Sequence, residues 1–280
     1  MSETLSSNKR IAKNTIFLYF RMGMVLFVSL FTTRVVLQAL GVEDYGINNV
    51  VSGFVTMFAF LNTSMSNGVQ RFYNFSLGKK NEYSITDVYN TALQIQGILS
   101  VILLLLLETF GLWYIHAQMV IPDERFFAAL WVFHFSVFSL VLLVLQIPYS
   151  AAIMAYERMD YYAYLSIFDV LAKLGIAYAV KYATTDKLVL YGALNLLVSF
   201  ICFFLYYGYA KRQFHELKTD FKIRKRLFES MLSFSGWNVF GSFAYMIKGQ
   251  GLNMLLNVFF GPIVNAARGI SAMVMSALQG

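Results

Sequence analysis

Residues 88–115, VYNTALQIQGILSVILLLLLETFGLWYI, carry one charged side chain, Glu108, in a run longer than a bilayer crossing needs. An α-helix spans the hydrocarbon core with about 20 mostly apolar residues. The stretch reads as a membrane-spanning helix, and working outward from it the pattern repeats. Apolar runs at 15–40, 46–75, 126–155, 161–183, 188–210 and 230–260 complete seven spans, and an eighth begins near 263. Composition agrees: 58% of the residues are hydrophobic, 17% aromatic and 13% charged, with a mean hydropathy of +0.60. A soluble domain carries about 25% charged residues, so lipid has to cover much of this surface. The fold class is an all-α polytopic membrane protein.

Breakers fall where spans should end. Gly41, Pro122 and Pro262 punctuate connections, and Pro148 predicts a kink inside the fourth span. The polar, basic N-terminus is followed by a full-length span with no A-x-A-like cleavage site, so it reads as an uncleaved first helix. Cys202, the only cysteine, excludes an intrachain disulfide and a cysteine zinc site.

The net charge of +7 is distributed as a topology signal rather than as a nucleic-acid surface. With the N-terminus inside, one side of the membrane holds Lys9, Arg10, Lys13, Lys79, Lys80, Arg158 and the seven Lys and Arg residues of 211–226. The other side holds Arg125, Lys181 and Lys187, an asymmetry of 13 to 3 that predicts a cytoplasmic N-terminus. Aromatic clusters such as Tyr161-Tyr162 and Tyr206-Tyr207 read as interfacial belts. The longest connection, KRQFHELKTDFKIRKRLF at 211–228, reads as a basic linker helix lying on the inner leaflet. An internal repeat aligns INNVVSGFVTM (47–57) with IVNAARGISAM (263–273), matching Ile47/Ile263, Asn49/Asn265, Gly53/Gly269 and Met57/Met273. The organisation predicted is a transmembrane lobe over 1–210, the linker over 211–228, and the start of a second lobe over 229–280.

No P-loop is present, since Gly78-Lys79 has Tyr73 where the first glycine belongs. His116, His134 and His215 lack metal-ligand spacing, and no connection is large enough for a sugar-nucleotide site. No catalytic residue, metal site or cofactor is assigned. The informative residues are charges inside the spans, where each costs about 2.5–3.5 kcal/mol at a helix centre unless it faces a cavity or a partner. Lys248 lies near the middle of span seven beside two glycines, within Lys248-Gly249-Gln250-Gly251, and reads as cavity-facing. Arg34, with Gln38 one turn on, either snorkels or faces a cavity; Arg21, nearer the inner surface, reads as a snorkeller. Thirteen residues separate Arg21 from Arg34, about 220° of rotation, so a straight helix cannot aim both into one cavity. Asp169 and Lys173, at i and i+4, form either a self-neutralising pair or an ion-coupling site. Glu108, without a local partner, is an interfacial carboxylate or a protonatable relay, the former being favoured. Arg268 is interfacial or cavity-facing, and Arg71 is a topology anchor.

The segments RIAKNTIFLYFRM (10–22), SLFTTRVVLQALGVEDYGINNVVSGFVTMFAFLN (29–62) and SNGVQRF (66–72) resemble bacterial polysaccharide flippases of the Wzx type. These belong to the multidrug/oligosaccharidyl-lipid/polysaccharide (MOP) exporter superfamily. QIPYSAAIMAYERMDYYAYLSIFDVLAKL (146–174), SFSGWNVFGSFA (233–244) and GPIVNAARGIS (261–271) extend the likeness along the whole chain. The resemblance implies a MATE/MOP-like bundle of two pseudosymmetric six-helix lobes around a central cavity, working by alternating access, here truncated after about 280 residues. It implies a basic cavity for the pyrophosphate of an undecaprenyl-linked oligosaccharide, with Arg34, Lys248 and Arg268 as anion-binding candidates and Asp169 and Lys173 as ion-coupling candidates. It places the protein in the bacterial inner membrane, multi-pass, in contact with lipid, lipid-linked oligosaccharide, and polymerase and chain-length partners, with no nucleic acid. The alternatives are a cation-coupled drug or metabolite exporter of the same superfamily, which needs no basic cavity, and a polysaccharide polymerase or ligase, which needs a large external loop.

Overall fold

The computed structural model describes residues 2–244 except 79–81, 118, 120, 221 and 223, with side chains from residue 15 onward. The described residues are helical with no strand. Eight helices run in chain order: α1 (Ser2–Thr56), α2 (Phe60–Leu77), α3 (Ile85–Leu106), α4 (Leu112–Ala117), α5 (Asp123–Leu145), α6 (Ile147–Ala155), α7 (Met159–Lys181) and α8 (Lys187–Gln213). A ninth, α9, covers 225–244.

Five helical stretches are long and apolar enough to cross a membrane, and the first, Thr15–Leu77, has 63 residues. At 1.5 Å per residue, a straight helix of that length would reach about 95 Å, three times a hydrocarbon core. The chain breaks it at Gly41, whose φ of 82° lies in the left-handed region that a glycine adopts without strain. The two arms of α1 therefore run in opposite directions, and the five stretches make six crossings. A short 3₁₀ turn at Met57–Ala59 then separates α1 from α2.

Contacts fix which ends lie together. Phe17 packs edge-on to Tyr164, and the Arg21 guanidinium lies 5.0 Å from the Tyr162 ring centre, at the start of α7. Further along, Val35 and Val36 pack with Ala177, so the first arm runs parallel to α7. Past the break, Asp44 meets Arg125 at the start of α5 and, through it, Asp186 at the start of α8. Gly41, Arg125 and Asp186 thus share one end of the bundle. Tyr156, Arg158, Glu216 and the start of α3 share the other.

Sequence chemistry accounts for the breaks. Ser84 caps α3 with a reciprocal box, its hydroxyl accepting from the Asp87 amide while Asp87 accepts from the Ser84 amide. Asp186 caps α8 by accepting from the Leu188 and Val189 amides. The expected kink of the fourth span is present: α5 ends at Leu145, α6 starts at Ile147, and Pro148 occupies the first turn of α6. Two buried clusters hold the crossings. One joins α2, α3, α6 and α8 around Tyr73, Tyr89 and Ile153. The other joins the second arm of α1 to α3 and α5 around Val51, Leu107 and Phe133. Outward, large apolar side chains such as Phe27 (73% exposed) face where lipid would be.

The linker corrects its prediction. Helix α8 ends at Gln213, and the described residues of 214–224 are not helical. Nor do its apolar side chains lie outward on a leaflet: Phe214, Leu217 and Leu227 are buried in the first cluster. Asn90 of α3 donates to the Lys218 carbonyl at 2.8 Å and accepts from the Asp220 amide at 2.7 Å. Thr86 donates to the Glu216 carbonyl at 2.6 Å, Lys211 donates to the Leu217 carbonyl at 2.6 Å, and Arg224 pairs with Asp87. Those bonds satisfy the linker backbone from outside, which removes the need for a helix. Beyond it, α9 packs against α2, with the Ser64 and Ser242 hydroxyls 2.7 Å apart and Phe234 against Phe72.

Candidate functional site

A cavity of 570 Å³ opens among both arms of α1, α2, and α5 to α8. Its walls are unusual for a membrane interior because most of their polar groups are neutral. Asn48, Ser52, Asn62, Ser136, Asn195 and Ser199 are among its Ser, Asn and Gln lining residues. Some of these bind one another: the Ser52 hydroxyl lies 3.1 Å from that of Ser136, and Asn195 donates to the Tyr191 carbonyl at 2.7 Å. The Asn195 side-chain bond uses one donor of its amide and leaves capacity for a guest.

Three charged residues line the same cavity, Arg21, Asp169 and Lys173. Asp169 and Lys173 form the i, i+4 pair the sequence predicted, with Nζ 2.8 Å from Oδ2. The other Asp169 oxygen lies 3.9 Å from the Cys202 thiol of α8. Arg21 overturns its reading as a snorkeller. It faces the cavity, stacks on Tyr162, and has a buried Nε with no hydrogen-bond partner among the described residues. Arg34 is exposed, as is Gln38, and does not line the cavity. The angular separation of the two arginines required that one of them miss the cavity; the missing one is Arg34. Lys248 and Arg268, together with the second copy of the internal repeat and Pro262, lie outside the described residues.

Glu108 has a partner that sequence proximity could not supply. A π-helical turn at Leu107–Gly111 carries it, and its carboxylate lies 3.0 Å from His134 Nδ1 on α5. Gly111 permits that approach, since a Cβ there would lie 2.7 Å from the Phe133 ring. The pair does not line the cavity. Arg71, read as an anchor, lies with its guanidinium 4.0 Å from the Phe234 ring centre and 5.1 Å from that of Phe75. A second, smaller pocket between α6 and the linker is lined by Tyr156, Arg158 and His215 among others.

No protein-family model and no curated protein matches the chain. Solved structures do, among them the following two. One is the outward-facing conformation of a multidrug resistance MATE family transporter of the MOP superfamily, with a TM-score of 0.78 at 14% identity over 95% of this chain. The other, called "protein A", superposes with a TM-score of 0.76 at 12% identity over 97% of this chain. The chain spans 61% of the length of each. At these identities the likeness shows the fold alone: a MATE/MOP-like helical bundle.

Proposed function

We propose that the chain forms the N-terminal lobe, and the start of the second, of a transporter that flips lipid-linked oligosaccharide across the bacterial inner membrane. The observation that carries this reading is the chemistry of the cavity wall. Hydroxyls and amides offer both donors and acceptors, which suits sugar hydroxyls. The unpartnered Nε of Arg21 adds a fixed charge suited to a phosphate. An undecaprenyl-pyrophosphate-linked oligosaccharide combines both requirements, its lipid tail remaining in the bilayer. Lys248 and Arg268 would add positive charge from the second lobe.

Asp169 and Lys173 would couple transport to an ion. Protonating Asp169, or binding a cation there, frees Lys173 from its 2.8 Å contact and makes it available to an anionic substrate. The charge asymmetry of the connections puts the N-terminus and the Arg158 end in the cytoplasm. A cation-coupled drug exporter is the second reading. It is favoured by a cavity-facing Asp169 and by the described activity class of one structural neighbour.

The test is complementation of a flippase-null strain with the intact protein. Arg21→Gln should abolish surface polysaccharide while leaving membrane levels unchanged, and Arg21→Lys should retain part of it. Ethidium efflux that is intact in wild type, together with polysaccharide display indifferent to Arg21→Gln, would replace the flippase reading by the exporter.

A further inference from the structure

We propose that Gln96 and Ser100 of α3 hold a cluster of ordered water molecules inside the lobe, distinct from the transport cavity. Gln96 is 0% exposed, yet neither its amide nitrogen nor its carbonyl oxygen has a hydrogen-bond partner among the described residues. One turn on, Ser100 is 4% exposed and its hydroxyl is likewise without a partner. The same helical face is otherwise apolar, with Ala92 and Leu103 buried in the first cluster. Neither Gln96 nor Ser100 lines the cavity.

Buried polar groups without partners are rare and costly, and in native proteins ordered water commonly satisfies them. The serine hydroxyl had a local solution, the carbonyl four residues back, which Thr109 takes in the π-helical turn that follows α3. Ser100 does not take it and stays free for a guest. Both ends of the glutamine amide are orphaned, so exchanging its nitrogen and oxygen leaves the requirement unchanged. That double requirement identifies the ligand class. A metal cation binds the oxygens of Gln96 and Ser100 and repels the amide N–H groups. An anion does the reverse. Water donates to one and accepts from the other.

Position gives the site its interest. Gln96 lies eleven residues into α3, which begins at Ile85. That is about 17 Å from the helix start at 1.5 Å per residue, inside the apolar stretch that continues to Ala117. Water held there hydrates the packing of α3 against its neighbours where an apolar seam would be rigid.

X-ray radiolysis of the purified full chain in detergent, read by mass spectrometry, detects bound water through hydroxyl labelling of adjacent side chains. The segment 91–106 should be labelled, and on mixing into ¹⁸O-water its label should exchange more slowly than that of cavity-lining Met154. Gln96→Leu, which removes both amide ends, should lose the labelling while Met154 keeps its own. Ser100→Ala should reduce it, and serves as the second variant if Gln96→Leu does not accumulate. Labelling no greater than in the exposed apolar stretch 197–205 of α8, or labelling unchanged in both variants, overturns the proposal. Labelling that vanishes when sodium is replaced by N-methylglucamine overturns it in favour of a cation site.

Discussion

Arg125→Met removes a side chain that ties three crossings together at the Gly41 end. The guanidinium donates to both oxygens of Asp44, at 2.8 and 2.6 Å, and to both oxygens of Asp186, at 2.7 and 3.2 Å. Side-chain exposures are 25% for Arg125, 17% for Asp44 and 39% for Asp186, so water screens the arrangement without dissolving it. A fully exposed pair contributes about 0–1 kcal/mol, and a hydrogen bond to a charged group about 1.5–3 kcal/mol. Two bidentate pairs in this partly wet setting give roughly 1–3 kcal/mol for the whole lock. For a unit of this size that corresponds to a fall in Tm of about 2–10 °C. Acid supplies the control. Burial pushes the Asp186 carboxyl up, but the bonds from Arg125 and from the Val189 and Leu188 amides outweigh it, so its pKa sits below the ordinary carboxylate range. A depressed folded-state pKa contributes stability above the unfolded value of about 4, and that contribution is lost as pH falls through the folded value. The gap in Tm between wild type and Arg125→Met, read by size-exclusion thermal shift, should hold between pH 7 and 5 and narrow below about pH 4. A gap under about 1 °C at pH 7, or one unchanged in acid, refutes the lock.

Asn90→Ala should release the linker: losing its bonds to Lys218 and Asp220 costs about 1–2 kcal/mol locally, so trypsin should cut within 214–224 roughly tenfold faster at unchanged overall Tm. With Cys202 replaced by alanine, the pair Ser64→Cys and Ser242→Cys should cross-link readily under mild oxidant, because their hydroxyls are 2.7 Å apart; no cross-link would displace α9 from α2. Reporter fusions after Tyr45, Lys80, Ile121 and Phe221 should read outside, inside, outside, inside, and Lys80 and Phe221 on opposite sides would break the six-crossing topology.

The crossings were legible because their signal is local: apolar length, Gly41 and Pro148 all act within a turn or two of themselves. What escaped was long-range. The linker reads as an amphipathic basic helix on its own, whereas Thr86, Asp87 and Asn90, more than a hundred residues upstream, supply bonds that hold it in a non-helical path. Glu108 looked alone for the same reason, since His134 reaches it from a different helix. Arg21 and Arg34 show a finer limit. Helical geometry established that they could not share a cavity, but only packing decides which face of α1 meets α7. Arg21 lies beside Tyr162 of α7, whereas Arg34 does not face inward, so the nearer-surface arginine became the cavity residue.

The treatment of charge within the spans separates Arg21 from its neighbours. Lys173 is neutralised by Asp169 one turn away, and Glu108 has His134 at 3.0 Å. Arg71 lies against two phenylalanine rings near the end of α2. Each of these groups has a charged or aromatic partner among the described residues. Arg21 is placed differently: one ring beside it, a buried Nε without a hydrogen bond among the described residues, and a cavity in front of it. A cation–π contact contributes about 0.5–2 kcal/mol, less than the roughly 2.5–3.5 kcal/mol that an uncompensated arginine costs at mid-helix. That cost falls nearer the interface, where Arg21 sits, so the proposed reading rests on the orphaned Nε rather than on a surplus of energy. On the flippase reading, an anionic oxygen would supply the missing acceptor together with a counter-charge, which a neutral guest lacks, while the serines and asparagines around it would accept many shapes.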